Sequence, residues 1–180
     1  HGQPVAVAMD TLGIAMAEYA NVAERRIERL VNPQLSGLPG FLTPVEGIND
    51  GFMVAQYAAA ALVSENKVLA HPACVDSIPT SANQEDHVSM GTIASRKAAT
   101  IISHVQSVLA VELLCAAQAA DFKGADKLGK GTRAAYDLVR SEVTFMDQDR
   151  AIYLDMNKVA QQIREGKYVQ AVEAAVGALK

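Results

Sequence analysis

The sequence has few cysteines, no tryptophan and no long uninterrupted run of apolar residues. With only Cys74 and Cys115 available, a disulfide framework is not expected, and a reducing cytoplasm fits best. No run of about 18 consecutive apolar residues occurs, so we expect no membrane span. Lys and Arg number 16 against 20 Asp and Glu, a net charge of −4. This balance provides no electrostatic case for nucleic acid, which attracts clustered positive charge.

Proline is absent from the second half of the chain, since all six prolines lie at or before Pro79. No strand periodicity is present, so the chain is predicted to be all-α. Three long helices are expected from Pro4 to about Val31, from about Phe52 to Ala70, and from about Asp86 to Phe122. The first carries apolar residues at steps of three and four, and Arg26 falls on that stripe. Arg26 is therefore expected either to pair with a carboxylate or to reach the edge of the apolar face.

Shorter helices are predicted after the third long helix, near residues 132–143, 156–165 and 168–179. We therefore expect a long-helix region at 1–122 and a region of shorter helices at 123–180, both within one domain. The second helix is apolar on nearly every side, which is typical of a helix buried all round. Three such helices expose more apolar surface than one small bundle can cover, so a homo-oligomer is expected.

Residues 81–91 read SANQEDHVSMG and crowd amide, carboxylate and imidazole groups just before the third helix. On local chemistry alone, the favoured interpretation is a helix cap with acids in the first turn. The alternative is a ligand site at a helix start, where backbone N–H groups are unpaired.

Other candidate sites are weaker. Gly124 to Lys130 has the spacing of a phosphate-binding loop, but Gly131 stands where Ser or Thr should hold magnesium, and a helix precedes it. Cys74 has no neighbour in sequence that would recognisably activate a thiol. Five residues could be read as metal ligands but lack the spacing of a metal site, so no metal is expected. They are His71, Asp76, Asp86, His87 and His104.

The segment at 81–91 resembles a signature of the histidine-specific branch of the aromatic amino acid lyase family. Further segments resemble the same family in the same order, and the match is dense from His1 to about Phe122. They are ERRI at 24–27, LSGLP at 35–39, GFM at 51–53, SENK at 64–67, LAHPA at 69–73 and VELL at 111–114. The resemblance implies a long-helix bundle of the aromatic amino acid lyase type. It also implies a homotetramer whose active sites draw residues from several subunits.

The resemblance implies an ammonia-lyase (a carbon–nitrogen lyase) that converts L-histidine to trans-urocanate and ammonia. Glu85 would be the catalytic, substrate-contacting residue, with Gln84 and Met53 as substrate-binding neighbours. The phenylalanine and tyrosine lyases of the family carry Gln where Glu85 stands, and a carboxylate suits the imidazole or ammonium of histidine. Asp50 departs from the small residue that is more common in the family, and its charge would weaken substrate binding if its loop reaches the pocket.

One element of the family is absent from the sequence. The family forms its electrophile, 4-methylidene-imidazol-5-one, from an Ala-Ser-Gly tripeptide, and no Ala-Ser-Gly occurs here. Because the chain also opens at His1 rather than Met, we expect it to be the C-terminal part of a longer lyase and to be inactive alone. Two alternatives stay open: a non-catalytic helical oligomerisation module derived from a lyase, and a family member that acts on another amino acid.

Overall fold

A computed structural model describes residues 1–179 of the chain. Within these residues it contains seven α-helices and no β-strand, which confirms the all-α prediction. The helices are α1 (Gln3–Val31), α2 (Pro33–Ser36), α3 (Met53–Leu69), α4 (Gly91–Lys123), α5 (Lys130–Arg140), α6 (Ile152–Arg164) and α7 (Lys167–Val176).

The long helices α1 and α3 begin and end within one residue of the predicted bounds. The predicted start of the third helix at Asp86 is wrong, because α4 begins at Gly91. The intervening backbone is held outside the helix: Thr80 and Glu85 exchange backbone hydrogen bonds, and the amide of Val88 donates to the Ser77 hydroxyl at 3.0 Å. The first turn of α4 contains no acidic residue, so the interpretation of residues 81–91 as a helix cap is also wrong.

The three short helices α5, α6 and α7 lie close to their predicted positions. Helix α5 packs against α7, where Gly131 faces Val172 and Val176. A Cβ at Gly131 would lie 3.4 Å from the Cγ1 atom of Val172, an ordinary van der Waals distance. Gly131 therefore lies at the contact between α5 and α7, where the spacing would also accept a methyl group.

The chain divides into two compact units, and each long helix contributes to both. Unit 1 comprises residues 1–22 and 61–105, and unit 2 comprises residues 23–60 and the described residues from 106 onward. The expected boundary at residue 122 lies one residue before the end of α4 at Lys123. The assignment of both regions to one domain stays a prediction.

Unit 1 has a core rich in small side chains, in which Ala6, Ala20, Ala94 and Ala98 are almost fully buried, as is Ile101. Alanine and glycine let helices approach closely, since added atoms would collide with the neighbouring helix. A Cβ placed on Gly13 of α1, for example, would lie 3.2 Å from the Cδ1 atom of Ile101 on α4.

Unit 2 is organised around Gln118, a fully buried amide on α4. Its side-chain nitrogen donates to the carbonyls of Leu42 and Met146, and its oxygen accepts from the amide of Met146 at 3.1 Å. A buried amide has to be satisfied in this way, because an unpaired polar group in a core is costly. In the same unit, the guanidinium of Arg26 pairs with both carboxylate oxygens of Glu112, so the expectation that Arg26 pairs with a carboxylate is confirmed.

Among residues 1–179, α4 is the one helix long and apolar enough by composition to cross a membrane. Its most apolar 18-residue stretch is 44% buried inside the chain. Core helices meet the same criterion, so the absence of a membrane span stays a prediction.

Candidate functional site

The loop that carries Glu85 is built around a tight left-handed turn. Ser81, Ala82 and Asn83 have φ values of 52°, 51° and 68°, a region that residues with a Cβ rarely adopt. The Thr80 amide donates to the Glu85 carbonyl at 3.1 Å, and the Glu85 amide donates back at 3.3 Å. Strained residues of this kind cost about 1–3 kcal/mol each and cluster at functional sites. Three such residues stand in the turn immediately before Glu85, and the other two in the described chain, Phe41 and Leu42, lie in unit 2.

The Glu85 carboxylate contacts an imidazole. Its Oε2 atom meets the Nε2 atom of His1, and the two side chains are 41% and 38% exposed, respectively. The Ser89 hydroxyl donates to the His1 carbonyl at 2.7 Å, which fixes the backbone of His1. Gln84, the other predicted site residue of this loop, is exposed. The predicted residues Gln84 and Glu85 therefore lie together in unit 1.

Asp10, a buried carboxylate on α1, holds the loop that follows α3 in unit 1. Asp10 accepts hydrogen bonds from the amides of Ala73 and Cys74, and the ammonium of Lys97 lies 3.5 Å from its other oxygen. Burial raises the pKa of Asp10, but the hydrogen bonds from Cys74 and Ala73 and the charge of Lys97 outweigh burial and leave the pKa lowered. The sequence reasoning missed Asp10; an acid among the apolar residues of α1 was the available signal.

Cys74 itself is unsuited to nucleophilic chemistry. The hydrogen bond to Asp10, together with burial and the nearby negative charge, raises the pKa of the Cys74 thiol. A thiol held in the protonated form is a poor nucleophile. Cys74 therefore acts as a donor to Asp10, which agrees with its interpretation as an ordinary loop cysteine.

The candidate metal ligands do not converge. Within residues 1–179, no three His, Cys, Asp or Glu side chains lie close enough together to hold a metal ion. His104 instead pairs with Asn66 of α3, with 2.8 Å between its Nδ1 atom and the Asn66 Oδ1 atom. This contact gives His104 a packing role between α3 and α4.

Met53, the third predicted site residue, belongs to unit 2 and is half-buried at the start of α3. The preceding loop is held by Asp149, whose carboxylate accepts from the amides of Asp50 and Gly51 at 2.8 and 2.9 Å. The Met53 amide donates to the Asp50 carbonyl at 3.1 Å. Met53 therefore falls in a different compact unit from Gln84 and Glu85.

The residues present do not fit the formation of the family's electrophile. The nearest string to Ala-Ser-Gly is Leu35-Ser36-Gly37, and it forms the end of α2. The Ser36 hydroxyl donates to the Asn32 carbonyl and accepts from the Leu38 amide, while Gly37 adopts φ of 64° as the helix cap. This segment is a helix terminus, and the hydroxyl of its serine is already engaged in hydrogen bonds with the backbone.

Comparison with known proteins assigns this all-α chain, with the strained loop that presents Glu85, to a class of lyases. The sequence pattern of the aromatic amino acid lyase family matches residues 1–141. The chain therefore belongs to the aromatic amino acid lyase family, which confirms the resemblance and the fold class.

Two similar relatives within this family are named histidine ammonia-lyases. The chain is 62% identical over 179 residues to a histidine ammonia-lyase of Alkaliphilus metalliredigens, covering 99% of this chain and 35% of the relative. It is 63% identical to histidine ammonia-lyase 2 of Fusobacterium nucleatum, covering 100% of this chain and 35% of the relative. The chain thus spans about a third of the length of these relatives.

Solved structures of the same family superpose closely on this chain. The crystal structure of histidine ammonia-lyase from Trypanosoma cruzi superposes with a TM-score of 0.94 at 46% identity, over 98% of this chain and 35% of that one. Tyrosine aminomutase from Streptomyces globisporus superposes with a TM-score of 0.96 at 40% identity, over 99% of this chain and 34% of that one. Both the histidine ammonia-lyase and the aminomutase therefore share the fold of this segment.

Proposed function

We propose that this chain is the C-terminal part of a histidine ammonia-lyase, which converts L-histidine to trans-urocanate and ammonia in histidine catabolism. The observation that carries the proposal is the 62% identity to a histidine ammonia-lyase over 99% of the chain. The identity to the tyrosine aminomutase is 40%. The higher sequence identity to the histidine ammonia-lyase favours histidine as the substrate over another aromatic amino acid.

In this proposal Glu85 is the catalytic residue of the chain and contacts the substrate. Elimination of ammonia removes a β-proton and releases the α-amine, so the enzyme has to orient both the imidazole and the ammonium of histidine. A carboxylate accepts hydrogen bonds from either group. The hydrogen-bonded turn at residues 80–85 supports this role, because it fixes the backbone from which the Glu85 side chain extends.

Gln84 and Met53 complete the proposed contribution of this chain as substrate-binding residues. The electrophile, 4-methylidene-imidazol-5-one, would come from an Ala-Ser-Gly segment elsewhere in the protein and would supply the site that activates the amine for departure. We also propose a cytoplasmic homo-oligomer, most simply a tetramer. The apolar residues that this single chain leaves exposed on α1 and α3 support such an assembly.

The experiment compares three preparations: the product of the whole gene, the 180-residue chain alone, and the whole product with Glu85→Gln. L-Histidine, L-tyrosine and L-phenylalanine are tested as separate substrates, and the ultraviolet absorbance of the matching elimination product (urocanate, p-coumarate or cinnamate) is followed. We expect the whole product to act on histidine and the 180-residue chain to be inactive. The Glu85→Gln variant keeps the size of the side chain and loses its charge, and kcat/KM should fall more than about tenfold, equal to about 1.4 kcal/mol.

A matched control is Glu165→Gln, because Glu165 is exposed at the end of α6 and the substitution is chemically the same. Its kcat/KM should stay at the wild-type value. A whole product that acts on tyrosine or phenylalanine but not on histidine would assign the chain to another member of the family. Turnover by the 180-residue chain alone would contradict the need for a separate electrophile segment.

A further inference from the structure

We propose that His1 is a positioning residue for Glu85, holding the Oε2 oxygen of the carboxylate through its imidazole Nε2 atom. This inference rests on the proposed function, since it concerns how Glu85 is presented to the substrate. The contact joins two side chains that are 84 positions apart in sequence but belong to the same compact unit.

The backbone of His1 is anchored independently of Glu85. The Ser89 hydroxyl donates to the His1 carbonyl at 2.7 Å. The next carbonyl, that of Gly2, accepts from the amides of Val5 and Ala6 at 3.0 and 3.1 Å and so begins α1. Gly2 has φ of 93°, which disfavours any other residue at this bend. The imidazole therefore extends from a defined point at the start of α1.

The backbone of Glu85 is anchored from the other side of the contact. The paired backbone hydrogen bonds with Thr80 fix its main chain, and the left-handed turn at residues 81–83 fixes its direction. The side chain beyond this point has three rotatable bonds and is 41% exposed, so the backbone alone does not select its orientation. The contact with His1 is what selects one orientation.

The chemistry of the pair leaves Glu85 able to act. In one tautomer of neutral imidazole the hydrogen is on Nε2, and that nitrogen can donate to a carboxylate. A carboxylate accepts through either of its oxygens. Because Oε2 meets His1, Oε1 can accept from the imidazole or ammonium of a bound histidine. A group that is oriented before the substrate arrives lowers the entropic part of the barrier.

The test uses the whole gene product and four variants: His1→Leu, His1→Gln, Glu85→Gln, and His1→Leu combined with Glu85→Gln. We expect His1→Leu to lower kcat/KM on L-histidine by at least about tenfold, mainly through kcat, because it removes the donor. His1→Gln keeps an N–H donor and should recover most of that loss. In the Glu85→Gln background, His1→Leu should cost less than about threefold, because residues acting through one another are not additive.

The control is His71→Gln, at an exposed residue that follows the end of α3 and contributes its backbone carbonyl to Lys97. Its kcat/KM should match that of the wild type. Losses that multiply in the double variant, or no loss in His1→Leu, would overturn the proposal. If circular dichroism shows that His1→Leu does not fold, His1→Asn replaces it, because its shorter side chain does not reach Glu85.

A readout independent of turnover separates this inference from the proposed function. Crystal structures of the whole product and of its His1→Leu variant should show Glu85 on His1 in the first and in a different or mixed orientation in the second. An unchanged Glu85 orientation in the variant would overturn the positioning role, whatever substrate the enzyme takes. Absence of histidine turnover in a wild-type protein that keeps the contact would instead contradict the proposed function alone.

Discussion

The carboxylate of Asp10 accepts a hydrogen bond from the backbone amide of Cys74 at 2.7 Å. This bond ties the loop that follows α3 to α1. The same loop contains Ser77, whose hydroxyl accepts from the amide of Val88 three residues after Glu85. Asp10 is therefore connected through two short backbone segments to the residue proposed to contact the substrate.

Replacing Asp10 by Asn should lower the free energy of unfolding by about 2–3 kcal/mol, because the amides of Ala73 and Cys74 lose a charged acceptor and Lys97 loses its carboxylate partner. Since the folded pKa of Asp10 lies below its ordinary value of 3.8, the charged form stabilises the fold. That contribution is present above pH 3.8 and is lost as the pH falls through the lower, folded pKa.

Urea unfolding of both proteins across the acid range up to neutrality measures this difference. The gap between wild type and Asp10→Asn should be constant near neutrality and narrow below pH 3.8. Asp76→Asn is the control, because Asp76 is exposed and accepts from the amide of the next residue, Ser77. A gap that does not change with pH would show that the charge of Asp10 is not the source of the stability.

Gly51 and Gly47 form a matched pair within one loop. Both have positive φ, 57° and 81°, but a Cβ at Gly51 would lie 2.5 Å from the Phe41 carbonyl oxygen, whereas a Cβ at Gly47 would have no atom within 4 Å. Gly47→Ala should cost about 1 kcal/mol from backbone strain alone. Gly51→Ala should cost about 2–4 kcal/mol, because the collision with backbone adds to the strain. Equal losses in thermal or urea unfolding would contradict the close approach.

Asp149 and Asp147 test how the loop before Met53 is held. The Asp149 carboxylate accepts from the amides of Asp50 and Gly51, whereas Asp147 contacts Asn49 only through its backbone carbonyl. Asp149→Ala should therefore speed hydrogen exchange at the Asp50 and Gly51 amides by about tenfold, corresponding to about 1.4 kcal/mol of local stability. Asp147→Ala should leave both rates unchanged. Protection that survives in Asp149→Ala would mean that the loop is held by its own turns.

The sequence was sufficient for the helices but not for the loops. Apolar periodicity placed α1 and α3 within a residue, because a continuous stripe and flanking Pro or Gly residues are local signals. It misplaced the start of α4 by five residues, since the polar string up to Met90 has the composition of a helix cap. What excludes that string from the helix is pairing between Thr80 and Glu85 and between Ser77 and Val88, which no short window of sequence reveals.

The same distinction applies to the site. Glu85, Gln84 and Met53 were found through a resemblance that depends on motifs, and their roles stay predictions. The contact of His1 with Glu85 and that of Asp10 with Cys74 join positions more than 60 residues apart. Only the fold brings them together.

The exposed apolar side chains of the long helices lead to the last prediction, which concerns assembly. On α1, Val5 and Ile14 are 55% and 48% exposed, and on α3, Tyr57 and Val68 are 62% and 73% exposed. Apolar groups at this density usually mark a surface that a partner covers.

The mass of the 180-residue chain in solution tests this assembly. We expect light scattering after size exclusion, at micromolar concentration, to give a mass of two or more chains of 19.1 kDa each. Tyr57→Arg should lower that mass, because a charge would be buried without a partner. Glu65→Arg, at an exposed polar position of the same helix, should not. A mass of 19.1 kDa with full helicity would show that a single chain tolerates these faces in water.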